Sequence, residues 1–167
     1  KLSQFGLDPN RRTPSGIKAA IIREKGTNGE REMAYMLYLA GFDVKDVTMT
    51  DLISGRETLE DINMVVYCGG FSNSDVLGSA KGWAGSFLFN PKAKAALDNF
   101  YAREDTLSLG VCNGCQLMMA LNLINPEHKK NGKMLHNDSH KFESRFLGVT
   151  VPTNRSVTTG SENNQIT

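Results

Sequence analysis

The residue types best suited to chemistry lie close together in residues 109–116, which read L-G-V-C-N-G-C-Q. Reduced to spacing, this is G-x-C-x-G-x-Q, with Cys112 between Gly110 and Gly114 and followed by Gln116. An apolar run precedes the cysteine and a helical pattern follows it, so Cys112 falls at a strand–helix turn. A nucleophile at such a turn needs a tight, strained backbone, and flanking glycines leave room for it. The segment therefore predicts a cysteine nucleophile.

The predicted helix start would also activate the sulfur. Unpaired N–H groups and the positive end of the helix dipole would point at Cys112 and favour its thiolate. The backbone N–H of Asn113 would point at the oxygen that becomes negative when the sulfur attacks a carbonyl. Gly69 and Gly70 follow the apolar run 64–68 and would provide a second donor, since glycine lets the backbone approach a ligand. Losing one such donor typically lowers the rate by about 10²–10³.

The three cysteines also allow other interpretations. Cys112 and Cys115 form a C-x-x-C pair at a helix start, which is typical of a redox dithiol. A zinc site would need further ligands, and those left lack finger-like spacing, so no metal site is predicted. Cys68 ends an apolar run and is predicted to be a core residue, and Cys115 is expected on the inner face of its helix. The glycines around Cys112 favour the nucleophile.

Composition excludes several classes of protein. The chain has 167 residues, about one domain, with 40% hydrophobic and 22% charged residues, which excludes a wholly disordered chain. Its net charge of +1 provides no basic field for nucleic acid or an acidic membrane surface. No apolar run approaches the roughly 20 residues that cross a bilayer, and no signal peptide is visible at the start. Three cysteines favour reduced thiols in the cytoplasm.

The order of elements predicts the fold class. Residues 1–16 are polar and aperiodic and are expected to be a linker or arm, followed by one domain at residues 17–167. Strands alternate with helices, which implies right-handed crossovers and an open, doubly wound, mainly parallel sheet with helices on both faces. Its ligand would bind at the carboxyl ends of the strands, where the diglycine and Cys112 lie. The predicted strands are Lys18–Arg23 and residues 42–47, 64–68 and 107–111, with one or two more in 142–151. The predicted helices are residues 30–40, 83–89, a segment from Pro91, and 116–122, and residues 48–61 carry a mixed helical pattern broken by Gly55.

Three segments resemble a known family. GVCNGCQLM, at residues 110–118, resembles the nucleophile elbow of class I glutamine amidotransferases, which have a flavodoxin-like fold. VVYCGGFSNSDVLGSAKGWAGSFLFN, at residues 65–90, and NDSHKFESRF, at residues 137–146, are similar to glutaminase domains of the phosphoribosylformylglycinamidine synthase family, in its large single-chain form. The likeness runs over residues 17–151.

The resemblance implies a ligase that uses glutamine as its nitrogen donor in purine biosynthesis. Cys112 would attack the side-chain amide of glutamine, form a thioester and release ammonia, with Phe71 and Gln116 near the substrate. The ammonia would pass to a synthetase domain of the same enzyme, where ATP with Mg²⁺ drives amination of formylglycinamide ribonucleotide. This chain has no G-x-x-x-x-G-K-[ST] loop, so no cofactor is expected to bind to it.

One part of the family pattern is missing from the sequence. The family takes its base from a histidine with a glutamate two residues on, in an H-G-E-G type motif, and no such motif occurs here. His140 and Glu143 are three apart, and on a strand they would face opposite sides; the other histidines are His128 and His136. We therefore expect a chain truncated at its C-terminal end that lacks glutaminase turnover alone. A non-catalytic docking module of the same fold is the alternative.

Overall fold

The structure, a computed structural model, describes residue 4, residues 12–150 and residues 165–166. The chain divides into two compact units, Lys1–Met134 and Leu135–Thr167. The strands are β1 Lys18–Arg23, β2 Thr27–Asn28, β3 Asp43–Thr48, β4 Met64–Tyr67, β5 Gly69–Gly70, β6 Leu107–Gly110, β7 Val149–Thr150 and β8 Gln165–Ile166. The helices are α1 Glu30–Leu39, α2 Met49–Ser54, α3 Lys81–Leu88, α4 Pro91–Tyr101 and α5 Asn113–Ala120.

A four-stranded parallel sheet forms the centre of the first unit. Its strand order is β3-β1-β4-β6, and every neighbouring pair is parallel. In register, Ala19 pairs with Val44 on one side and Met64 on the other, and Met64 pairs with Leu107. The direction of strand order reverses between β1 and β4, which creates the crevice where such sheets bind ligands.

Helices cover the two faces of this sheet unequally. Alternate residues of a strand point to opposite faces. One face carries Ala20, Ile22, Val65 and Tyr67, and helices α2 to α5 bury it together with residues such as Leu52, Phe87, Leu97 and Leu117. The other face carries Ile21, Val66 and Cys68, against which α1 packs Met33, Ala34 and Leu37. The predicted α/β class, with a parallel sheet between helices, is confirmed.

Local chemistry explains where several helices begin. Gly29 adopts a left-handed conformation directly before α1. The first turn of α1 carries Glu30 and Glu32, whose negative charges interact favourably with the positive end of the helix dipole. Pro91 occupies the first turn of α4, where its missing N–H is harmless. The carboxylate of Asp51 accepts hydrogen bonds from the hydroxyl and backbone N–H of Thr48 at the start of α2, and these bonds lower its pKa.

The structure gives the extent of two predicted elements. Helix α5, Asn113–Ala120, begins directly after Cys112, as the predicted strand–helix turn requires. The helical pattern alone indicated only residues 116–122, because Asn113 and Gly114 have low helix propensity. In the predicted strand segment 142–151, the described residues form a strand only at Val149–Thr150, paired antiparallel with Gln165–Ile166. Residues 142–148 lie beside no other strand of the described chain that could satisfy their backbone groups.

Residues 12–16 of the predicted arm form no helix or strand. The Arg12 guanidinium donates to the backbone carbonyls of Tyr38 and Phe42 and pairs with Asp43. The rest of the arm, apart from residue 4, lies outside the described residues. Among the described helices, none has the length and apolar character needed to cross a membrane.

The packing predicts unequal effects for two neighbouring phenylalanines. Phe87 is fully buried, with its ring edge-on to Tyr67 at 6.3 Å, whereas Phe89 is 84% exposed. Phe87→Ala should lower the free energy of unfolding by about 3–5 kcal/mol, because it removes the buried ring and leaves a cavity. Phe89→Ala, the matched control, should change it by less than about 0.5 kcal/mol. Urea unfolding followed by circular dichroism measures both, and equal losses would contradict this core.

Candidate active site

Cys112 lies at a strained turn between β6 and α5. Its φ and ψ are 52° and −109°, a combination that non-glycine residues rarely adopt. Backbone strain of this kind costs about 1–3 kcal/mol and persists only where the surrounding structure enforces it. The side chain is exposed at the carboxyl end of the sheet. The strand–helix turn predicted at this cysteine is therefore present.

Gly114 allows this turn to pack against the sheet. A β-carbon at this position would lie 2.1 Å from the carbonyl oxygen of Tyr67, the last residue of β4. No side chain fits there, so α5 can approach β4 this closely only with glycine at residue 114. The Gly114 N–H donates to the carbonyl of Val111, which closes the turn around Cys112.

The diglycine turn lies beside the cysteine. A β-carbon at Gly69 would lie 3.1 Å from the Cβ of Cys112 and 3.9 Å from its sulfur. Any larger residue at 69 would therefore crowd Cys112. The arrangement follows from the sheet, because β4 and β6 are parallel neighbours and end at the same edge. The structure thus brings together the two segments that the sequence predicts to form one site.

A small antiparallel ribbon fixes the backbone of the diglycine. Gly69 pairs with Asn28 and Gly70 with Thr27, so β2 and β5 join the loops that follow β1 and β4. The Phe71 N–H donates to the carbonyl of Gly26 at 2.9 Å, and the Phe71 side chain is 70% exposed. The Phe71 ring is therefore accessible to a ligand, whereas its backbone N–H is already hydrogen-bonded.

Helix α5 begins directly after Cys112. The first N–H groups of a helix have no acceptor within it. In α5, the Gln116 N–H donates back to the Cys112 carbonyl, and Asn113 is the first helical residue. The predicted oxyanion donor, the Asn113 N–H, therefore belongs to the first turn of the helix, directly after Cys112 in the chain.

The side chain of Asn113 joins the helix to the loop after the diglycine. It is 1% exposed, and its Oδ1 accepts a hydrogen bond from the Ser72 N–H at 3.0 Å. Its Nδ2 donates to both carboxylate oxygens of Asp75, at 3.1 and 3.0 Å, and to Oε1 of Gln116 at 2.9 Å. The sequence reasoning assigned a role only to the Asn113 backbone and missed Ser72 and Asp75, since nothing in the sequence shows that an asparagine is buried.

Comparison with known proteins identifies the family. Residues 16–166 match the model of the CobB/CobQ-like glutamine amidotransferase domain. The chain belongs to this family of glutamine amidotransferase domains. The predicted resemblance to glutamine amidotransferases is thereby confirmed.

Curated relatives of this amidotransferase domain share one name. The chain is 47% identical over 156 residues to a phosphoribosylformylglycinamidine synthase of Homo sapiens, an alignment covering 84% of the chain and 12% of that protein. It is 48% identical over 138 residues to one of Dictyostelium discoideum, covering 80% and 10%. The chain thus spans about a tenth of the length of these relatives.

A solved structure supports the fold of the domain. The chain titled "Structure of PurLQS from Thermotoga maritima" superposes with a TM-score of 0.65 at 24% identity. The superposition covers 90% of this chain and 63% of that one. At this identity, the likeness establishes a shared fold.

The other two cysteines of the amidotransferase domain differ from Cys112. Cys68 is buried beside Ile21 and Val66, as predicted, and this burial raises the pKa of its thiol to about 11. Cys115 is half-buried and belongs to neither buried cluster of the described chain, so its predicted inner-face packing is only partial. Of the three cysteines, only Cys112 is exposed.

Among the described contacts, no histidine pairs with Glu143. His128 bonds to the backbone of Lys130, and Glu143 pairs with Arg145 rather than with His140. His136 and His140 belong to the second unit. Within the described residues, no group of three histidine, cysteine or acidic side chains could hold a metal ion.

The thiols should differ in reactivity in the folded domain. At pH 8, iodoacetamide should modify Cys112 first, Cys115 more slowly and Cys68 least. The Cys68 pKa of about 11 keeps its thiol protonated at this pH, and only the thiolate is nucleophilic. Peptide mass spectrometry over time measures the order, and the chain in urea, where all three should react alike, is the control. If Cys68 reacts as fast as Cys112 in the folded chain, the burial of Cys68 is contradicted.

Proposed function

We propose that this domain is the glutamine-hydrolysing part of a phosphoribosylformylglycinamidine synthase, with Cys112 as its nucleophile. The strained, exposed Cys112 turn beside Gly69, in a chain of the amidotransferase family, is the observation that carries this proposal. The shared name of the relatives supports the choice of enzyme.

The geometry suggests the order of steps. The Cys112 thiolate attacks the side-chain carbonyl carbon of glutamine, and the carbonyl oxygen takes the negative charge. The backbone N–H of Asn113 and the Gly69–Gly70 turn would stabilise that oxyanion, the kind of interaction that contributes most to acyl transfer. Collapse expels the amide nitrogen, which takes a proton to leave as ammonia. Water then hydrolyses the thioester to glutamate and restores the thiol.

Substrate recognition would use groups around the same turn. Phe71 is exposed beside the diglycine and is suited to lie against the aliphatic part of glutamine. Gln116 is half-buried, and its Oε1 is engaged by Asn113, which leaves its amide N–H₂ to face the substrate. We propose both as substrate-binding residues.

The reaction also needs a base and an acceptor for the ammonia. Only the thiolate is nucleophilic, so a thiol nucleophile requires a base that takes its proton. The sequence has no H-x-E motif to provide one, so we propose that this chain alone has negligible turnover. In the complete enzyme, the ammonia would pass to a synthetase portion that uses ATP and Mg²⁺. The three free cysteines are consistent with a cytoplasmic site of action.

Two measurements on the 167-residue chain test the proposal. Ammonia release from glutamine should not exceed that of Cys112→Ala, because the base is missing. A diazoketone analogue of L-glutamine should nonetheless modify Cys112, and faster than its D-enantiomer does, because the binding half of the site is present. Cys115→Ala is the matched control and should keep this preference.

Each contrary result bears on a different part of the proposal. Ammonia release at the rate of an intact amidotransferase would contradict the proposal that this chain lacks the catalytic base. Modification of Cys68 or Cys115 before Cys112 would refute the nucleophile. The redox alternative would be favoured if Cys112 and Cys115 form a disulfide that thioredoxin reduces and if the chain shows no preference for the L-glutamine analogue.

A further inference from the structure

We propose that Asp75 is a positioning residue for the Cys112 site, acting through the buried amide of Asn113; this inference rests on the proposed function. Asp75 has no place in the cysteine chemistry itself. Its carboxylate holds the Asn113 side chain, and Asn113 joins the helix that carries the predicted oxyanion donor to the loop that follows the diglycine.

The hydrogen bonds around Asn113 fix its orientation. A primary amide has two N–H donors and one carbonyl acceptor. Here the two donors are divided between Asp75 and Gln116, and the acceptor is taken by the Ser72 N–H. A flipped amide would place N–H₂ against the Ser72 N–H and a carbonyl oxygen against the Asp75 carboxylate. The carboxylate therefore selects a single orientation of the amide.

The loop that Asp75 belongs to needs such an anchor. Three successive non-glycine residues, Asn73, Ser74 and Asp75, have φ values of 50°, 56° and 49°. A run of this kind is strained and is held only by its surroundings. Besides Asn113, the Asp75 carboxylate accepts a hydrogen bond from the Ala80 N–H at the start of α3. One side chain thus connects the loop, the elbow helix α5 and helix α3.

Displacement of this loop would alter the oxyanion site. The loop continues directly from Gly69 and Gly70, and a β-carbon at Gly69 would lie 3.1 Å from the Cβ of Cys112. A shift of about 1 Å in a reacting group can lower a rate by about 10²-fold. Loss of the Asp75 contact should therefore slow attack on a glutamine-like carbonyl, but should leave simple alkylation of the sulfur nearly unchanged.

The test compares two reagents on Cys112 in the 167-residue chain. The diazoketone analogue of L-glutamine occupies the glutamine site with its ketone oxygen at the oxyanion groups, while the sulfur bonds to the diazo-bearing carbon, which takes up a proton and releases N₂. Iodoacetamide needs only the thiolate, which displaces iodide. The ratio of the two rate constants should fall about 10- to 100-fold in Asp75→Ala. Asp98→Ala, which removes an exposed carboxylate on α4 that pairs with Lys94, is the matched control and should keep the wild-type ratio.

An exchange of partners separates positioning from a general loss of stability. Asn113→Asp alone would set two carboxylates against each other and should lower the ratio about 100-fold. Asp75→Asn added to it places an amide donor opposite the new carboxylate, and the Gln116 amide can rotate to donate as well. The double variant should recover to within a few-fold of wild type. Asp75→Leu, which has a similar side-chain size but no acceptor, replaces Asp75→Ala if that variant does not fold.

The outcomes distinguish this inference from the proposed function. A wild-type preference for the L-analogue, a lowered ratio in the single variants and recovery in the double variant support it. An intact preference with unchanged ratios in the Asp75 variants, or a double variant no better than Asn113→Asp, would overturn the positioning role alone. If wild-type Cys112 shows no preference for the L-analogue, the proposed function fails and the inference fails with it.

Discussion

The close contact between Gly114 and the carbonyl of Tyr67 is the constraint on which the site depends. With a β-carbon excluded at this position, α5 lies against the end of β4, and the short connection from β6 must turn within Val111 and Cys112. That turn forces the backbone of Cys112 into its strained conformation. The strain is maintained because the buried packing of Leu117 and Tyr67 holds helix and sheet together. Exposure of the cysteine follows from the turn, since the side chain then points out from the sheet edge.

The sheet order brings the other parts of the site to the same edge. Strands β4 and β6 are parallel neighbours, so the diglycine and the cysteine leave the sheet side by side. The ribbon formed by β2 and β5 adds the loop after β1, because β1 is the other neighbour of β4. Three loops from three adjacent strands therefore meet where the strand order reverses, the place at which this architecture usually binds ligands.

Hydrogen bonds, rather than apolar packing, fix the loop that follows the diglycine. The loop after the diglycine carries consecutive left-handed residues and few buried side chains of its own, so apolar packing alone would not fix it. A buried amide with all its donors and acceptors engaged does so, because leaving any of them unpaired away from water costs about 1–3 kcal/mol. A fully paired Asn113 thus gives the loop one orientation, and the backbone next to Cys112 shares in that order.

The sequence by itself determined the fold class, the position of the strand–helix turn and the cysteine that lies at it. These follow from local information: apolar runs of strand length, glycines at fixed spacing, and a cysteine between them. It also placed Cys68 in the core, because a cysteine at the end of a fully apolar strand is usually buried with its neighbours. Only the tertiary structure decided that Ser72, Asp75 and Gln116 converge on the Asn113 side chain, and that β2 pairs with the diglycine. Asp75 and Asn113 lie 38 residues apart and carry no pattern that links them, because their contact depends on how two parallel strands end at a common edge.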